Sequence, residues 1–215
     1  MKPCLIFDLD GTLVDSLSGI AGSLNRTLSA HGLPVHSETM VRSFVGDGLR
    51  MLVQRGAHPI SDPAHIDALV SFFKKDYEAS WASGTRAYPG IHNLLDELQK
   101  SGHPLAVLSN KTHDFTVAMV QAVFPNIHFT KVLGQQDGVR HKPHPAGAFL
   151  IAQTAGVDPE NCYLIGDSTI DLETANNADM KPICVTWGYH DRAKLLEAGA
   201  TVLIDHPSEL PALVI

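Results

Sequence analysis

The chain has 215 residues, of which 44% are hydrophobic and 18% are charged, and it carries a formal net charge of −7. This length suits one domain with a smaller insert, and the composition is rich enough in apolar residues to exclude an intrinsically disordered chain. The negative charge argues against general binding to nucleic acid or to an anionic membrane. We find no run near the ~18 apolar residues of a membrane span and no signal-peptide pattern. Because three cysteines in short apolar runs are typical of reduced, buried thiols, we expect a soluble, cytoplasmic protein.

The first predicted elements are a buried strand and a group of helices. The apolar run Cys4–Phe7 predicts the strand. Residues 16–86 contain no convincing strand, and they have a helical pattern at Leu17–Ala30, Ser37–Phe44, Gly48–Arg55 and Pro63–Trp81. We therefore expect 16–86 to form an all-helical domain inserted into a core made of residues 1–15 and 87–215.

From residue 87 onward, short apolar runs alternate with amphipathic stretches. Strands are predicted at Pro104–Leu108, Phe129–Leu133, Cys162–Ile165, Ile183–Val185 and Thr201–Ile204. Helices are predicted at Ile91–Lys100, Asp114–Val123, Ala146–Ala155, Ile170–Asn177 and Arg192–Ala198. This alternation predicts an α/β fold, a doubly wound parallel sheet covered by helices on both faces.

Two carboxylates, Asp8 and Asp10, directly follow the first predicted strand. Alternation along a strand sends both side chains to the same side, where they repel each other unless a cation neutralises them or one holds a proton. An Asp-Gly pair such as Asp10-Gly11 is by itself typical of a turn. Two acids at the end of a buried strand need a partner, however, which favours a functional site.

Two further polar groups follow core strands or serve their loops. Ser109-Asn110-Lys111 comes directly after a predicted strand and can donate hydrogen bonds to an anion, although such a triplet also suits an ordinary helix N-cap. Lys142 lies in a proline-flanked turn, held at a helix entry. Its neighbours His141 and His144 suggest a metal site, but a third ligand at suitable spacing is missing, so a basic surface turn is the better interpretation.

A fourth group places Asp167 at the tip of a predicted strand and Asp171 one helical turn later. The carboxyl ends of parallel strands meet at one edge of a sheet, which is where ligands bind in open α/β folds. We therefore expect at least three carboxylates, a lysine and a hydroxyl to converge there. Carboxylates with water suit Mg²⁺, and such a site can stabilise a phosphoryl group in transfer.

The motifs DxDGT, SNK, KPxP and GDSxxD, in this order, resemble the four motifs of the haloacid dehalogenase (HAD) superfamily of phosphatases. The resemblance spans the chain, and the helical insert is similar to the family's type 1 cap. It implies that Asp8 is a nucleophile forming an aspartyl-phosphate, and that Asp10 is first the general acid and then the general base. It implies that Lys142 offsets the charge on Asp8 and the phosphate. The residues implied to position the phosphoryl group are Thr12, Ser109 and Asn110.

The same resemblance implies a Mg²⁺ site. Its ligands would be the side chain of Asp8, the backbone carbonyl of Asp10 and the side chain of Asp167. Asp171 would orient Lys142 or a metal-bound water.

Within the superfamily, the insert resembles that of phosphoglycolate phosphatases over the stretch from Arg42 to Val53. Gly46 and Gly48 there would let bare backbone N–H groups approach a small anion. Arg42, Arg50 or Arg86 could pair with a substrate carboxylate, or be solvated surface residues. Trp187-Gly188-Tyr189 is also similar to this subfamily, and we expect its bulky side chains to pack at the core edge rather than touch substrate.

The leading hypothesis is thus a Mg²⁺-dependent phosphomonoester hydrolase acting on a small phosphorylated metabolite, with 2-phosphoglycolate the best candidate. Alternatives are a related phosphatase for pyrophosphate, a sugar phosphate or a nucleotide, and a phosphomutase. A dehalogenase needs neither Asp10 nor the Mg²⁺ ligands, so their presence argues against that activity. A non-catalytic binding module does not require both Asp8 and Asp10, so the pair argues against that alternative as well. We expect a monomer or homodimer, and a cap that opens and closes.

One residue departs from the family pattern. Asp179 stands where the family often has glycine, and aspartate tolerates the left-handed conformation required there.

Overall fold

The computed structural model of the chain describes residues 2–214. The strands are β1 (Cys4–Phe7), β2 (Val14–Asp15), β3 (Arg86–Ala87), β4 (Leu105–Thr112), β5 (Lys131–Gln135), β6 (Cys162–Gly166), β7 (Lys181–Val185) and β8 (Leu203–Ile204). The helices are α1 (Leu17–Ala30), α2 (Glu38–Arg42), α3 (Leu49–Gly56), α4 (Pro63–Ser80), α5 (Ile91–Lys100), α6 (His113–Val123), α7 (Ala146–Ala155), α8 (Thr169–Asn177), α9 (Arg192–Glu197) and α10 (Pro211–Val214). None of the helices within 2–214 combines the length and apolar character needed to cross a bilayer.

Six strands form one parallel sheet in the order β5-β4-β1-β6-β7-β8. All four residues of β1 are buried, as expected of a strand with neighbours on both sides and helices over both faces. This arrangement confirms the predicted α/β fold with a doubly wound parallel sheet. Because β1 lies between β4 and β6, the carboxyl ends of these three strands meet at one edge.

Strand pairing, rather than local sequence, sets where several strands end. β4 continues to Thr112, which is in register with Gln135 of β5 after a local irregularity. Ser109, Asn110 and Lys111 therefore lie within the strand, and the interpretation of this triplet as a helix N-cap is wrong. β5 begins at Lys131, two residues later than predicted. Its first residue paired with β4 is Lys131, which lies in register with Ala106.

The described chain divides into two compact units, one of which is Asp15–Arg86. This unit contains α1 to α4, and its longest helices, α1 and α4, pack on each other. Arg26 of α1 forms a bidentate ion pair with Asp76 of α4 and also donates to Ser80. The chain enters and leaves the unit at β2 and β3, which pair with each other. The role of this unit as a cap stays a prediction.

Asp179 follows α8 with a φ of 54°, the one non-glycine residue among 2–214 in the left-handed region. The sequence predicted this conformation from the glycine that the family often has there. Aspartate accepts it more readily than a β-branched or bulky residue, so the helix end is kept without glycine.

Candidate active site

Three buried carboxylates meet at the carboxyl edge of the sheet. Asp8 directly follows β1, Asp167 directly follows β6, and Asp171 lies in the first turn of α8. Each offers one oxygen, and these oxygens all lie within 4.8 Å of one another. The fold thus brings together three acids that the sequence separates by as much as 163 residues.

Lys142 lies between two of these acids. Its Nζ is 2.6 Å from Asp171 Oδ1 and 2.9 Å from Asp8 Oδ1. The side chain of Lys142 is 3% exposed, that of Asp171 2% and that of Asp8 12%. The ammonium donates a hydrogen bond to Asp171. The ammonium also forms an ion pair with the buried Oδ1 of Asp8, although the two groups are not aligned for a hydrogen bond. Asp171 therefore holds Lys142 beside Asp8.

Asn110 fixes the backbone of Lys142 from the neighbouring strand. Its Nδ2 donates to the Lys142 carbonyl at 2.9 Å, and its Oδ1 accepts from the Lys142 N–H at 2.8 Å. This double contact links the end of β4 to the loop before α7. The structure thus places Asn110 against Lys142, and Ser109 beside it in the strand is also buried; the contact of either residue with a phosphoryl group stays a prediction.

Both oxygens of Asp167 accept hydrogen bonds. Thr12 Oγ1 donates to Oδ1 at 2.9 Å, and the backbone N–H of Tyr189 donates to Oδ2 at 2.6 Å. Thr12, predicted to position a phosphoryl group, thus contacts Asp167. The orientation of Asp167 is set from two sides, and Tyr189 is a contact that the sequence did not reveal.

Glycines allow this close approach of backbone and carboxylates. A Cβ on Gly11, whose φ is 91°, would lie 2.3 Å from Asp167 Oδ2. A Cβ on Gly166 would lie 2.2 Å from Asp171 Cγ. Any larger residue at either position would displace an acid of the group.

The electrostatics of the group favour a bound cation. Burial raises the pKa of Asp8 to about 7 despite the nearby charge of Lys142, and burial together with the charge of Asp8 raises the pKa of Asp167 to about 8. Burial acts to lower the pKa of Lys142, but the charges of Asp171 and Asp8 raise it above its usual range. Without a cation, Asp8 and Asp167 thus tend to keep a proton near neutral pH. When all three acids are ionised, three carboxylates and one ammonium leave two negative charges, which is the charge that one divalent cation neutralises. Together with the unaligned buried oxygen of Asp8, this donor set fits a hard, oxygen-binding cation.

Asp10 has a cationic partner that the sequence did not identify. Lys111 Nζ lies 3.2 Å from each of its carboxylate oxygens, and the side chains of Lys111 and Asp10 are only 8% and 11% exposed. The sequence marked Lys111 as a cation near an anion site. Its pairing with Asp10, 101 residues away, required the sheet order.

Comparison with known proteins identifies the family. A family model described as haloacid dehalogenase-like hydrolase matches residues 5–185. The chain belongs to the haloacid dehalogenase-like hydrolases. It is 33% identical over 195 residues to a phosphoglycolate phosphatase of Mesorhizobium japonicum, covering 89% of this chain and 86% of the relative. It is 29% identical over 211 residues to phosphoglycolate phosphatase 1 of Pseudomonas aeruginosa, covering 96% and 77% of the two chains.

A solved structure agrees with this family. That of a predicted phosphoglycolate phosphatase from Haemophilus somnus superposes with a TM-score of 0.88 at 26% identity, covering 100% of this chain and 98% of the other. The chain is therefore a haloacid dehalogenase-like enzyme of the phosphatase type, similar to phosphoglycolate phosphatases. Enzymes of this type generally use a divalent metal, in agreement with the donor set described above.

Of the two histidines beside Lys142 in this haloacid dehalogenase-like enzyme, His144 supports the local backbone. His144 Nδ1 accepts a hydrogen bond from the N–H of Ala146 at the start of α7. His141 and His144 line an open cavity of about 420 Å³. Among residues 2–214, the acidic group is the one set of three or more suitable side chains close enough to share a metal.

The helical unit of the enzyme contains the predicted specificity residues. Gly46 and Gly48, with φ of 128° and 84°, flank Asp47 in the loop before α3. Arg50 forms an exposed ion pair with Asp67, and Arg42 is half-buried.

A contact that the sequence did not reveal supports this loop. Arg55 pairs with Asp47 and donates to the carbonyl of Phe44 at 2.8 Å. Arg55 thus ties the end of α3 to the loop that carries both glycines.

Proposed function

We propose that the protein is a Mg²⁺-dependent phosphomonoester hydrolase that acts on a small phosphorylated metabolite through an aspartyl-phosphate intermediate. The observation that carries this proposal is the buried group of three carboxylates with one lysine. Burying such a group without a cation is unfavourable, so the group favours binding of a divalent ion, and a bound divalent ion attracts the oxygens of a phosphoryl group.

In the first step, a carboxylate oxygen of Asp8 attacks the phosphorus atom, and the bond from phosphorus to the leaving oxygen breaks. Asp10 gives its proton to that oxygen, so the product leaves as an alcohol. In the second step, Asp10 takes a proton from a water molecule that attacks the phosphorus. The bond to Asp8 breaks, inorganic phosphate leaves, and both side chains return to their starting state.

Other residues hold these groups in place. Lys142 offsets the negative charge of Asp8 and the phosphoryl group, and Asp171 keeps Lys142 there. Thr12, Ser109 and Asn110 orient the phosphoryl group at the sheet edge.

The residues that would hold Mg²⁺ are Asp8, Asp167 and the backbone carbonyl of Asp10. When bound, the ion neutralises charge that develops on the transferred phosphoryl oxygens. The hydrogen bonds on both oxygens of Asp167 support this assignment, because they fix the carboxylate before an ion arrives.

For the substrate we propose 2-phosphoglycolate, because the relatives reported above are phosphoglycolate phosphatases. Pyrophosphate, a sugar phosphate or a nucleotide is the alternative substrate, and a phosphomutase is the less favoured alternative reaction. A cytoplasmic location and a monomer or homodimer remain predictions.

The decisive experiment measures phosphate release from an aryl phosphate and from a panel of small phosphorylated acids, sugars, nucleotides and pyrophosphate. We expect activity with Mg²⁺, none with EDTA, and none in Asp8→Asn, which keeps the size of the side chain. Wild-type rates in Asp8→Asn would exclude it as the nucleophile, and activity unaffected by EDTA would exclude the metal role. A mutase would consume one substrate without steady release of phosphate.

The substrate carboxylate can be tested with the arginines of the helical unit. The KM values of Arg42→Met, Arg50→Met and wild type are measured with 2-phosphoglycolate and with an aryl phosphate that lacks a carboxylate. Replacing an arginine that binds the carboxylate should raise the KM for 2-phosphoglycolate and leave the KM for the aryl phosphate unchanged. Equal effects on both substrates would remove that arginine from the substrate site, and we expect this for Arg50 because Asp67 already pairs with it.

A further inference from the structure

The segment after β7 contacts the acidic site through four consecutive residues. We call Trp187-Gly188-Tyr189-His190 the β7 strap. Trp187 Nε1 donates to the carbonyl of Thr12 at 3.0 Å, and the Tyr189 N–H donates to Asp167 Oδ2 at 2.6 Å. Gly188 lies close to the carbonyl oxygen of Gly11, and His190 accepts a hydrogen bond from Thr169, the first residue of α8. The strap thus lies against parts of the site that come from three other elements.

Gly188 is the position where the strap lies closest to the site. A Cβ there would lie 2.2 Å from Asp167 Cβ, 2.3 Å from the carbonyl oxygen of Gly11 and 2.4 Å from Asp167 Oδ2. Gly188 is buried and has no positive φ. A methyl group would therefore be opposed by contact with the carboxylate and the backbone, not by strain in its own conformation.

The two ends of the strap are also attached to the site. At the first end, Trp187 holds the backbone of Thr12, whose hydroxyl donates to Asp167 Oδ1. At the other end, His190 Nδ1 accepts from the N–H of Thr169 at 3.1 Å, at the start of the helix that carries Asp171. Both oxygens of Asp167 are consequently oriented by the strap, one directly and one through Thr12.

From these contacts we infer that the β7 strap is a positioning element of the cation site: it sets the orientation of Asp167 through the Tyr189 N–H, the bare Cα of Gly188 and the Trp187 indole. This inference rests on the proposed function, because it gives a purpose to contacts around a proposed metal ligand. Partners that orient a ligand commonly change metal affinity about 10- to 100-fold when they are removed. The bulky side chains themselves need not touch the substrate.

The test measures Mn²⁺ binding to the full chain without substrate, from the loss of the free-ion electron paramagnetic resonance signal, with Mg²⁺ competition. Gly188→Ala should bind Mn²⁺ about 10-fold or more weakly than wild type. Trp187→Phe, which loses one hydrogen bond, should bind roughly 2- to 10-fold more weakly. Tyr189→Phe keeps the backbone N–H and should bind within about 2-fold of wild type.

Gly19→Ala is the matched control, since its Cβ would meet its nearest atoms at an ordinary 3.5 Å, and it should bind as wild type does. Circular dichroism and thermal melting establish that each variant is folded. Wild-type Mn²⁺ affinity in folded Gly188→Ala would overturn the inference. If Gly188→Ala does not fold, Trp187→Phe decides, and unchanged binding there overturns it.

The experiment separates this inference from the proposed function. Absence of Mn²⁺ binding by the wild-type protein, or full binding by Asp167→Asn, would refute the proposed metal site. Binding by wild type that is lost in Asp167→Asn but unchanged in the strap variants would refute only the role of the strap.

Discussion

Lys142→Met is the substitution for which the structure gives the clearest magnitude. Methionine keeps an unbranched apolar side chain, so the main loss is the ammonium between Asp8 and Asp171. At 2.9 Å and 2.6 Å, each pair gains about 6 kcal/mol at an effective dielectric constant of ~20, and removing the ammonium from water offsets several kcal/mol of this. Leaving the two carboxylates buried without their cationic partner should lower the free energy of unfolding by about 3–5 kcal/mol.

The assay is urea unfolding followed by circular dichroism at neutral pH with EDTA, so that no added cation compensates for the missing charge. Lys100→Met is the matched control, because that lysine is 74% exposed and pairs with Asp96 one helical turn away, a contact worth only about 0.3–0.5 kcal/mol. The double variant Lys142→Met/Asp171→Asn should lose less free energy of unfolding than the two single variants lose in sum, since either change alone already breaks the pair. A loss below about 1 kcal/mol for Lys142→Met would refute the claim that this lysine compensates buried charge.

Three further predictions concern other parts of the molecule. Asp10→Asn should slow hydrolysis of alkyl phosphates more than that of aryl phosphates, because good leaving groups need less protonation, and equal losses would contradict the acid role. The hydrogen bonds and charge of Arg26 lower the pKa of Asp76, so the stability that Asp76 contributes is complete above its unfolded pKa of ~3.9 and is lost as the pH falls through the lowered native value. The free energies of unfolding of wild type and Asp76→Asn, measured by urea denaturation, should accordingly differ at neutral pH by no more than about 1 kcal/mol and converge in strong acid, and a gap that widens in acid would contradict this. Ile151→Ala, at a fully buried position, should cost about 2–5 kcal/mol in chemical denaturation, whereas Phe149→Ala, 42% exposed on the same helix, should cost under about 1 kcal/mol, and equal costs would contradict the assigned core.

Local sequence was enough to predict most of the elements in this chain. β1 has the bounds that were predicted, as do α1, α5 and α7, because apolar runs and helical periodicity report burial within a few residues. The prediction was less accurate at β4 and β5, whose ends depend on pairing between two segments rather than on either sequence alone. The triplet Ser109–Lys111 shows the consequence, since it continues a strand where an N-cap was also possible.

The sequence identified Asp8 and Asp167 as functional candidates, because charge at the end of an apolar strand needs a partner, and it identified Lys142 from its proline-flanked turn and the resemblance to the family's motifs. The family resemblance also implied that Lys142 lies near Asp8 and Asp171, where the structure places it, but the sequence did not reveal the contacts of Asp167 with Thr12 and Tyr189. Those contacts join residues far apart in the chain, so they depend on the strand order.

The sequence of this protein by itself thus determined which side chains are candidates for the chemistry, through residue type and position relative to the strands. The tertiary structure alone decided that Lys111 faces Asp10, that Asn110 holds the Lys142 backbone and that Gly188 and Tyr189 lie against Asp167. The physical reason is that charge and hydrogen bonding act over a few ångströms, and only the packed sheet brings these groups within that distance.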